Sequence, residues 1–171
     1  MDKNNNKSIL EDFESFLNSE NLHYQWTEDK KSIALNNTGI NGSYRFIARM
    51  STKKNIFILY SMYPIKVTED KEKAISEFIN RSNYNRLIGR FEFNYDEGEI
   101  FYTTTLDFEK ITLYDNSIFE NLFWITFSSM DKYLPAILGV LYGNKTPKEA
   151  IEEIENEDKD KKKVNHDICM N

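Results

Sequence analysis

The sequence has few of the residues on which several common protein functions depend. Among its 171 residues there is one cysteine, with two histidines, three prolines and six glycines. The single cysteine, Cys169, excludes an internal disulfide, so we expect a reducing, cytoplasmic location. His23 and His166 lie far apart and outside any cluster with the spacing of a zinc site. The sequence therefore predicts neither a metal nor a cofactor.

Long apolar runs and an excess of basic residues are also missing. No segment approaches the roughly 20 apolar residues that span a bilayer, and the polar stretch from Met1 to Lys7 does not resemble an export signal. The formal net charge of −6 disfavours general binding to nucleic-acid phosphates or anionic lipids. We therefore expect no membrane partner and do not expect nucleic acid as the main one.

No set of catalytic side chains can be nominated. The few glycines form no phosphate-binding loop after a strand. The acidic groups at Asp96–Glu99 and Glu152–Glu153 fall in a predicted turn and on a predicted helix face, where solvated acids are common. Because a nucleophile, a base and an orienting group cannot be named together, the sequence predicts a protein that is not an enzyme.

Aromatic residues are plentiful and predict a packed domain. They make up 14% of the chain within a hydrophobic content of 40%, which is enough for one aromatic-rich core. We expect this single domain to cover residues 1–154. Residues 155–171 carry charges of both signs and predict a solvated, disordered tail, with a docking peptide containing Lys161–Lys163 as the alternative.

The first third of the chain predicts a helix followed by three strands. Ser8 and Glu11 have the spacing of a capping box, so a helix is expected over Ser8–Glu20. Alternation of apolar and polar residues then predicts strands around Tyr24–Trp26 and Ile33–Leu35 as a hairpin, and a third strand over Tyr44–Met50.

The next segments predict a buried strand, a helix and a hairpin. Ile56–Met62 is apolar on both faces, as expected for a central strand covered on both sides or for a subunit contact, and Pro64 is expected to end it. A helix should follow from Thr68. Two further strands over 87–95 and 99–106 should turn at Asp96–Gly98, where glycine permits a positive φ.

The most apolar stretch, residues 116–142, predicts helix. Pro135 removes one backbone hydrogen bond, so we expect two helical parts that meet near residues 131–135. A last short helix is expected from Pro147, with Thr146 as its N-cap.

Two groups of polar residues could bind a ligand. Five arginines and three tyrosines could together form a strip for nucleic acid, although the wet face of a sheet paired with acids is the alternative: Arg45, Arg49, Arg81, Arg86, Arg90, Tyr44, Tyr84 and Tyr102. Asn80, Asn83 and Asn85 lie where a helix must turn into a strand, and they serve either as caps or as part of a ligand site.

Several short stretches together resemble the YbjN-domain family, over about Leu22–Tyr142. They are Val67–Glu69, Ile75–Asn83, Gly89–Phe93, Asp96–Ile100, Met130–Ile137 and Val140–Gly143. The resemblance implies an α+β fold similar to type III secretion chaperones, with a curved antiparallel sheet of about five strands flanked by helices, and a homodimer. It assigns no catalytic residue, and some bacterial members are labelled sensory transduction regulators.

Two functional hypotheses follow. The first is a non-enzymatic, bacterial protein-binding or chaperone-like module that dimerises and holds a partner peptide on an apolar surface. Ile47, Phe57, Leu59 and Phe101 are the expected interface residues, unless helices of the same chain cover them. The second is a sensory regulator that binds a small molecule or nucleic acid through the arginines and asparagines near residues 80–90.

Overall fold

The computed structural model describes residues 3–111 and 114–156, with side chains from Ile9 onward. The predicted tail, residues 155–171, lies outside the described residues from position 157 on. The helices are α1 (Lys3–Ser19), α2 (Glu72–Asn83), α3 (Ser117–Leu141) and α4 (147–156), and a 3-10 turn at Glu69–Lys71 precedes α2. The strands are β1 (Tyr24–Trp26), β2 (Ser32–Thr38), β3 (Ser43–Met50), β4 (Ile56–Lys66), β5 (Arg90–Asn94) and β6 (Glu99–Asp107).

The six strands form one antiparallel sheet in the order β1-β2-β3-β4-β6-β5. The sheet is curved and does not close into a barrel. The predicted α+β class is confirmed, with one strand more than the expected five or so. Strand β4 lies between β3 and β6, so its predicted central position is also confirmed.

The helices pack on one face of this sheet and enclose an aromatic core. Phe13 of α1 contacts Phe57 of β4 with ring centroids 5.2 Å apart, and Phe119 of α3 contacts the same ring at 5.2 Å. Farther along α3, Phe123 lies 5.2 Å from Phe46 of β3. Because aromatic rings bury large areas and prefer tilted or edge contacts, this face supplies much of the fold's stability.

Helix α1 begins five residues before the predicted start. Ser8 lies inside the helix, so the apparent capping box with Glu11 does not mark its N-terminus. A Ser and a Glu three residues apart occur inside helices as well as at their ends, and the motif alone does not distinguish the two cases. The buried stripe through Phe13 and Leu17 is where the helical spacing predicts it.

Strand β4 continues past Pro64, so the prediction that this proline ends the strand is wrong. The pairing of β4 with β6 shifts register between Met62 and Lys66, and Pro64 falls inside this irregularity. A proline lacks the N–H that a regular ladder requires, but a bulge leaves one residue unpaired and accommodates it.

Helix α3 is a single helix that contains Pro135, so the predicted division into two parts is wrong. Proline cannot donate a hydrogen bond to the carbonyl oxygen four residues earlier, at Asp131. The side-chain amide of Asn41, in the β2–β3 turn, donates to that oxygen at 2.9 Å instead. The turn thus satisfies the carbonyl that proline leaves without its usual partner.

The same turn is held by the side chain of Asp131. Its carboxylate accepts hydrogen bonds from the backbone N–H groups of Ile40 (3.1 Å) and Asn41 (2.8 Å), and from the hydroxyl of Tyr44 (3.0 Å). Burial and this carboxylate together raise the pKa of Tyr44 well above its usual range. These contacts attach one end of the sheet to the middle of α3.

The β5–β6 turn and the start of α4 follow their sequence signals. Gly98 has a φ of +63°, and a Cβ there would lie 2.6 Å from the carbonyl oxygen of Val67. At α4, the hydroxyl of Thr146 accepts from the N–H of Glu149 at 3.3 Å, and the Glu149 carboxylate accepts from the Thr146 N–H at 2.8 Å. This reciprocal pair is a capping box, and it lowers the pKa of Glu149.

Candidate functional sites on the sheet and beside helix α3

The second face of the sheet carries no helix among the described residues. The ring contacts and hydrogen bonds that join the described helices to the sheet involve side chains of the opposite face, such as Phe46, Phe57, Tyr63 and Phe91. We call the other side the open face. Its half-buried apolar side chains come from three adjacent strands: Ile47, Ile58, Tyr60, Met62 and Phe101.

Strand register brings these side chains together. Ile47 pairs with Tyr60, and Met62 pairs with Phe101. The rings of Tyr60 and Phe101 meet edge to face, 6.1 Å between centroids. The open face therefore has a contiguous apolar stripe across its central strands.

The four predicted interface residues divide between the two faces. Ile47 and Phe101 lie on the open face. Phe57 and Leu59 are 0% exposed and lie under the helices. The apolar character of Ile56–Met62 thus has two sources, because alternate residues of one strand face opposite sides of a sheet. Burial by helices of the same chain, the alternative given above, applies to Phe57 and Leu59.

Sequence reasoning missed Ile58, Tyr60 and Met62 as part of this surface. Their alternation within β4 is visible in the sequence, since they share one parity and Phe57 and Leu59 share the other. The sequence gives no sign of which parity faces the helices. That assignment depends on the pairing of β4 with β3, which the structure shows.

Charge is unevenly distributed over the open face. Strand β3 contributes Arg45 and Arg49, which flank Ile47 at the β3 edge of the apolar stripe. The opposite side carries the acids of β5 and β6, of which Glu92 pairs with Arg90 at 2.7 Å and Glu99 pairs with Lys66 at 2.7 Å. Asp107 also belongs to this acidic side.

The predicted arginine and tyrosine strip is not assembled. Tyr44 and Tyr102 are buried, and Arg81 pairs with Glu77 on the surface of α2 at 2.8 Å. Arg45, Arg49 and Arg90 belong to the open face. Arg86 lies on the helix side.

Arg86 is the arginine with the most specific surroundings. Its guanidinium carbon lies 5.0, 5.3 and 4.9 Å from the ring centroids of Phe91, Tyr102 and Tyr133. Its Nε donates to the carbonyl oxygen of Ser82 at 3.2 Å. We call these three rings the aromatic cage.

The three asparagines have separate roles. Asn83 bonds both to the backbone N–H of Phe91 (2.8 Å) and to its carbonyl oxygen (2.9 Å), so it fixes the start of β5, as a structural asparagine should. Asn85 adopts a φ of +60° in the loop that follows, and Asn80 is exposed on α2. Only Asn85 lies in the same loop as Arg86.

Metal-ligand clusters and membrane-spanning helices are both absent from the described residues. Residues 3–111 and 114–156 contain no group of three or more His, Cys, Asp or Glu that could hold a metal ion. Of the helices described, none is long and apolar enough to cross a membrane.

Comparison with known proteins identifies the family and the fold. Residues 10–139 match the model of the YbjN family, described as "Putative bacterial sensory transduction regulator". The crystal structure of YbjN, a putative transcription regulator from E. coli, is similar to this fold with a TM-score of 0.52 at 11% identity. The match covers 79% of this chain and 90% of the other. No curated protein matches the sequence.

The family match covers well over half of the chain: it begins inside α1 and ends two residues before the end of α3. It includes the sheet, the Arg86 loop and the Asp131 contacts described above. The chain belongs to the YbjN family, whose description is "Putative bacterial sensory transduction regulator".

Proposed function

We propose that the protein is a non-enzymatic, regulatory protein-binding module that acts as a homodimer, with the open face as the dimer interface. The observation that carries this proposal is the contiguous apolar stripe of the open face, which no described helix covers. Apolar surface of this kind on a small domain commonly marks an interface. A second copy of the chain is the occupant that its charge pattern favours.

The charge pattern of the open face is complementary to itself. A two-fold axis parallel to β4 would place β3 of one copy opposite β6 of the other. Arg45 and Arg49 would then lie opposite β6 of the partner, on the side where the acids outnumber the bases by one: Glu92, Glu99 and Asp107 against Arg90 and Lys66. The apolar stripes would meet at the centre. In a two-fold interface every such contact occurs twice, and sheets commonly pack face to face about 10 Å apart.

The size of the face is compatible with a dimer. Six strands about 4.8 Å apart, with central strands roughly 25 Å long, give a projected area of roughly 600 Å². Side-chain relief makes the accessible area larger than this projection. Standard protein interfaces bury about 800 Å² per partner, so most of the open face would be needed.

Two tyrosines with raised pKa values belong to the helix-covered side and hold the helices in place. Burial raises the pKa of Tyr63 and of Tyr114, which makes both hydroxyls weaker acids. Each donates to a fixed partner within the fold: Tyr63 to the carbonyl oxygen of Met130 at 2.9 Å, and Tyr114 to the carboxylate of Asp12. These bonds hold α3 and α1 in place beneath the sheet, away from the proposed interface.

Sedimentation equilibrium of the full chain at micromolar concentration tests the proposal. We expect a dimer for the natural sequence, and monomers for Ile47→Asp and Phe101→Asp, because each places a carboxylate inside the apolar stripe. Circular dichroism should show that both variants keep their secondary structure, since neither side chain belongs to the helix-covered core.

Leu87→Asp is the matched control. Leu87 is also a large apolar residue and is 96% exposed, but it lies in the α2–β5 loop on the helix side. This variant should remain a dimer. A monomeric natural sequence, or an Ile47→Asp variant that dimerises as well as the control, would overturn the proposal.

A further inference from the structure

We propose that the pocket beside Arg86 binds a small organic carboxylate with an apolar body. The pocket has a volume of about 530 Å³ and lies between the α2–β5 loop and the middle of α3. This volume is within the range of small-molecule sites. The proposal concerns the helix side of the sheet and does not depend on the dimer.

The charge of Arg86 has no acidic partner in the described part of the chain. Its hydrogen bonds go to the neutral oxygens of Ser82, Tyr102 and Ser129, and its remaining contacts are the rings of the aromatic cage. The two bonds of Nη1, to Tyr102 and Ser129, are long at 3.3 and 3.4 Å. A half-buried cation without an anion is costly in most proteins, and here it occurs in a chain of net charge −6.

The guanidinium is oriented before any ligand arrives. The three rings of the cage lie within 5.3 Å of the guanidinium carbon, and Nε is held by its bond to the Ser82 carbonyl oxygen. Nη2 donates to no atom in the described part of the chain, and Nη1 makes only the two long bonds. A carboxylate that replaces one of these long bonds can accept two parallel hydrogen bonds, one from Nη1 and one from Nη2 of the planar guanidinium. The hydroxyl of Ser129, which lines the pocket beside Nη1, offers a further donor to the same anion. Lys132 also lines the pocket.

The loop that forms one wall is fixed by the core. The hydroxyl of Tyr102 donates to the carbonyl oxygen of Ile88 at 2.7 Å. Gly89 has a φ of +68°, and a Cβ there would lie 2.5 Å from the Tyr102 hydroxyl. Glycine therefore allows the loop to lie against the ring. The wall is thus positioned by contacts that involve the same tyrosine as the cage.

The apolar part of the ligand is inferred from the rim. Leu87 is 96% exposed and Ile88 is 47% exposed, and both line the pocket together with Ile125 of α3. Adjacent exposed aliphatic residues beside a caged cation match a molecule with an anionic head and an aliphatic body. Inorganic anions would leave these residues in water.

Isothermal titration calorimetry of the full chain with octanoate tests the proposal. We expect saturable binding with one site per chain, and no comparable binding of octanol, which lacks the charge, or of acetate and inorganic phosphate, which lack the body. Arg86→Gln should weaken octanoate binding roughly tenfold or more, because charge-assisted hydrogen bonds are lost. Arg90→Gln, which removes an arginine already paired on the open face, should bind octanoate as the natural sequence does.

Arg86→Gln could disturb the cage, so Leu87→Asp provides a second variant. Leu87 contributes little to the core, and an aspartate there would repel the carboxylate at the rim. This variant should lose octanoate binding while it keeps the dimer, whereas Ile47→Asp should lose the dimer and keep octanoate binding. Absence of saturable octanoate binding to the natural sequence, or equal affinity in Arg90→Gln and Leu87→Asp, would overturn the carboxylate site and leave the dimer proposal unaffected.

Discussion

Strand β4 carries large apolar side chains on both of its faces, and the two faces differ in what surrounds them. Phe57 and Leu59 lie under α1 and α3 with no exposed surface, whereas Ile58 and Tyr60 are half-buried on the open face. The covered face combines interlocking rings with polar contacts that attach the helices. The open face combines an apolar stripe with flanking charges. One strand thus serves the core with one set of alternate residues and presents a surface with the other.

The largest difference between the faces should appear when the same charge is placed on each. Leu59→Asp puts a carboxylate without a partner at a fully buried position, and we expect it to lower the free energy of unfolding by about 4 kcal/mol or more, or to prevent folding. Ile47→Asp should cost about 1 kcal/mol in the monomer, because water reaches the open face. Urea denaturation at concentrations below the dimer range compares them, because dimer formation would otherwise add to the stability of the natural sequence. Equal losses would mean that both faces are buried within the monomer.

The polar contacts of the covered face should matter more than the ion pairs of the open face. Asp131→Ala removes the acceptor of two backbone N–H groups and of the Tyr44 hydroxyl, so we expect a loss of about 2–3 kcal/mol in urea denaturation. Arg90→Ala breaks the exposed pair with Glu92 and should cost under about 1 kcal/mol. A larger effect at Arg90 would contradict this distinction.

Alkaline pH should lower the free energy of unfolding through a buried tyrosine of the covered face. Burial raises the folded-state pKa of Tyr63 well above 10.0, so the unfolded state releases this proton first. The contribution of Tyr63 to stability is then complete below pH 10 and falls as the pH rises above 10, by at most about 1.4 kcal/mol per pH unit. Unfolding midpoints measured from pH 8 to pH 11 should fall less steeply in Tyr63→Phe, and parallel curves would refute this role.

The smallest effect concerns the turn that meets α3 at its proline. Asn41→Ala removes the donor to the Asp131 carbonyl and should cost about 1 kcal/mol. In a Pro135→Ala background the restored N–H of residue 135 can bond that carbonyl within the helix, so the same change should cost close to nothing. A double-mutant cycle by urea denaturation measures this coupling. Equal costs in both backgrounds would show that the carbonyl does not depend on Asn41.

The order and type of most elements could be predicted from the sequence, because alternation and helical spacing are local properties. The hairpin that turns at Gly98 and the cap at Thr146 have local chemical signatures, and both are confirmed. The predicted effects of Pro64 and Pro135 were wrong because the conformation at each proline depends on residues that lie far away in the sequence. A bulge against β6 accommodates the first, and Asn41, about 90 residues earlier in the chain, compensates for the second.

The sites were less predictable than the fold. The sequence suggested both Ile47 and Leu59 as surface residues, and only the pairing of β3 with β4 separates them. In the sequence, nothing distinguishes Arg86 from the other four arginines of the predicted strip. The rings that distinguish Arg86 come from β5, β6 and α3, which only the folded chain brings together.

Hydroxyl-radical footprinting of the unmodified protein over a range of concentrations tests most directly whether the open face is a dimer interface. Tyr60 and Met62 lie in its apolar stripe, while Tyr95 and Tyr142 are 58% and 71% exposed elsewhere and report on general changes in reactivity. We expect oxidation of Tyr60 and Met62 to fall as concentration rises through the dimer range, with Tyr95 and Tyr142 unchanged. Constant oxidation of Tyr60 and Met62 across that range would contradict the assignment of this face to a second copy of the chain.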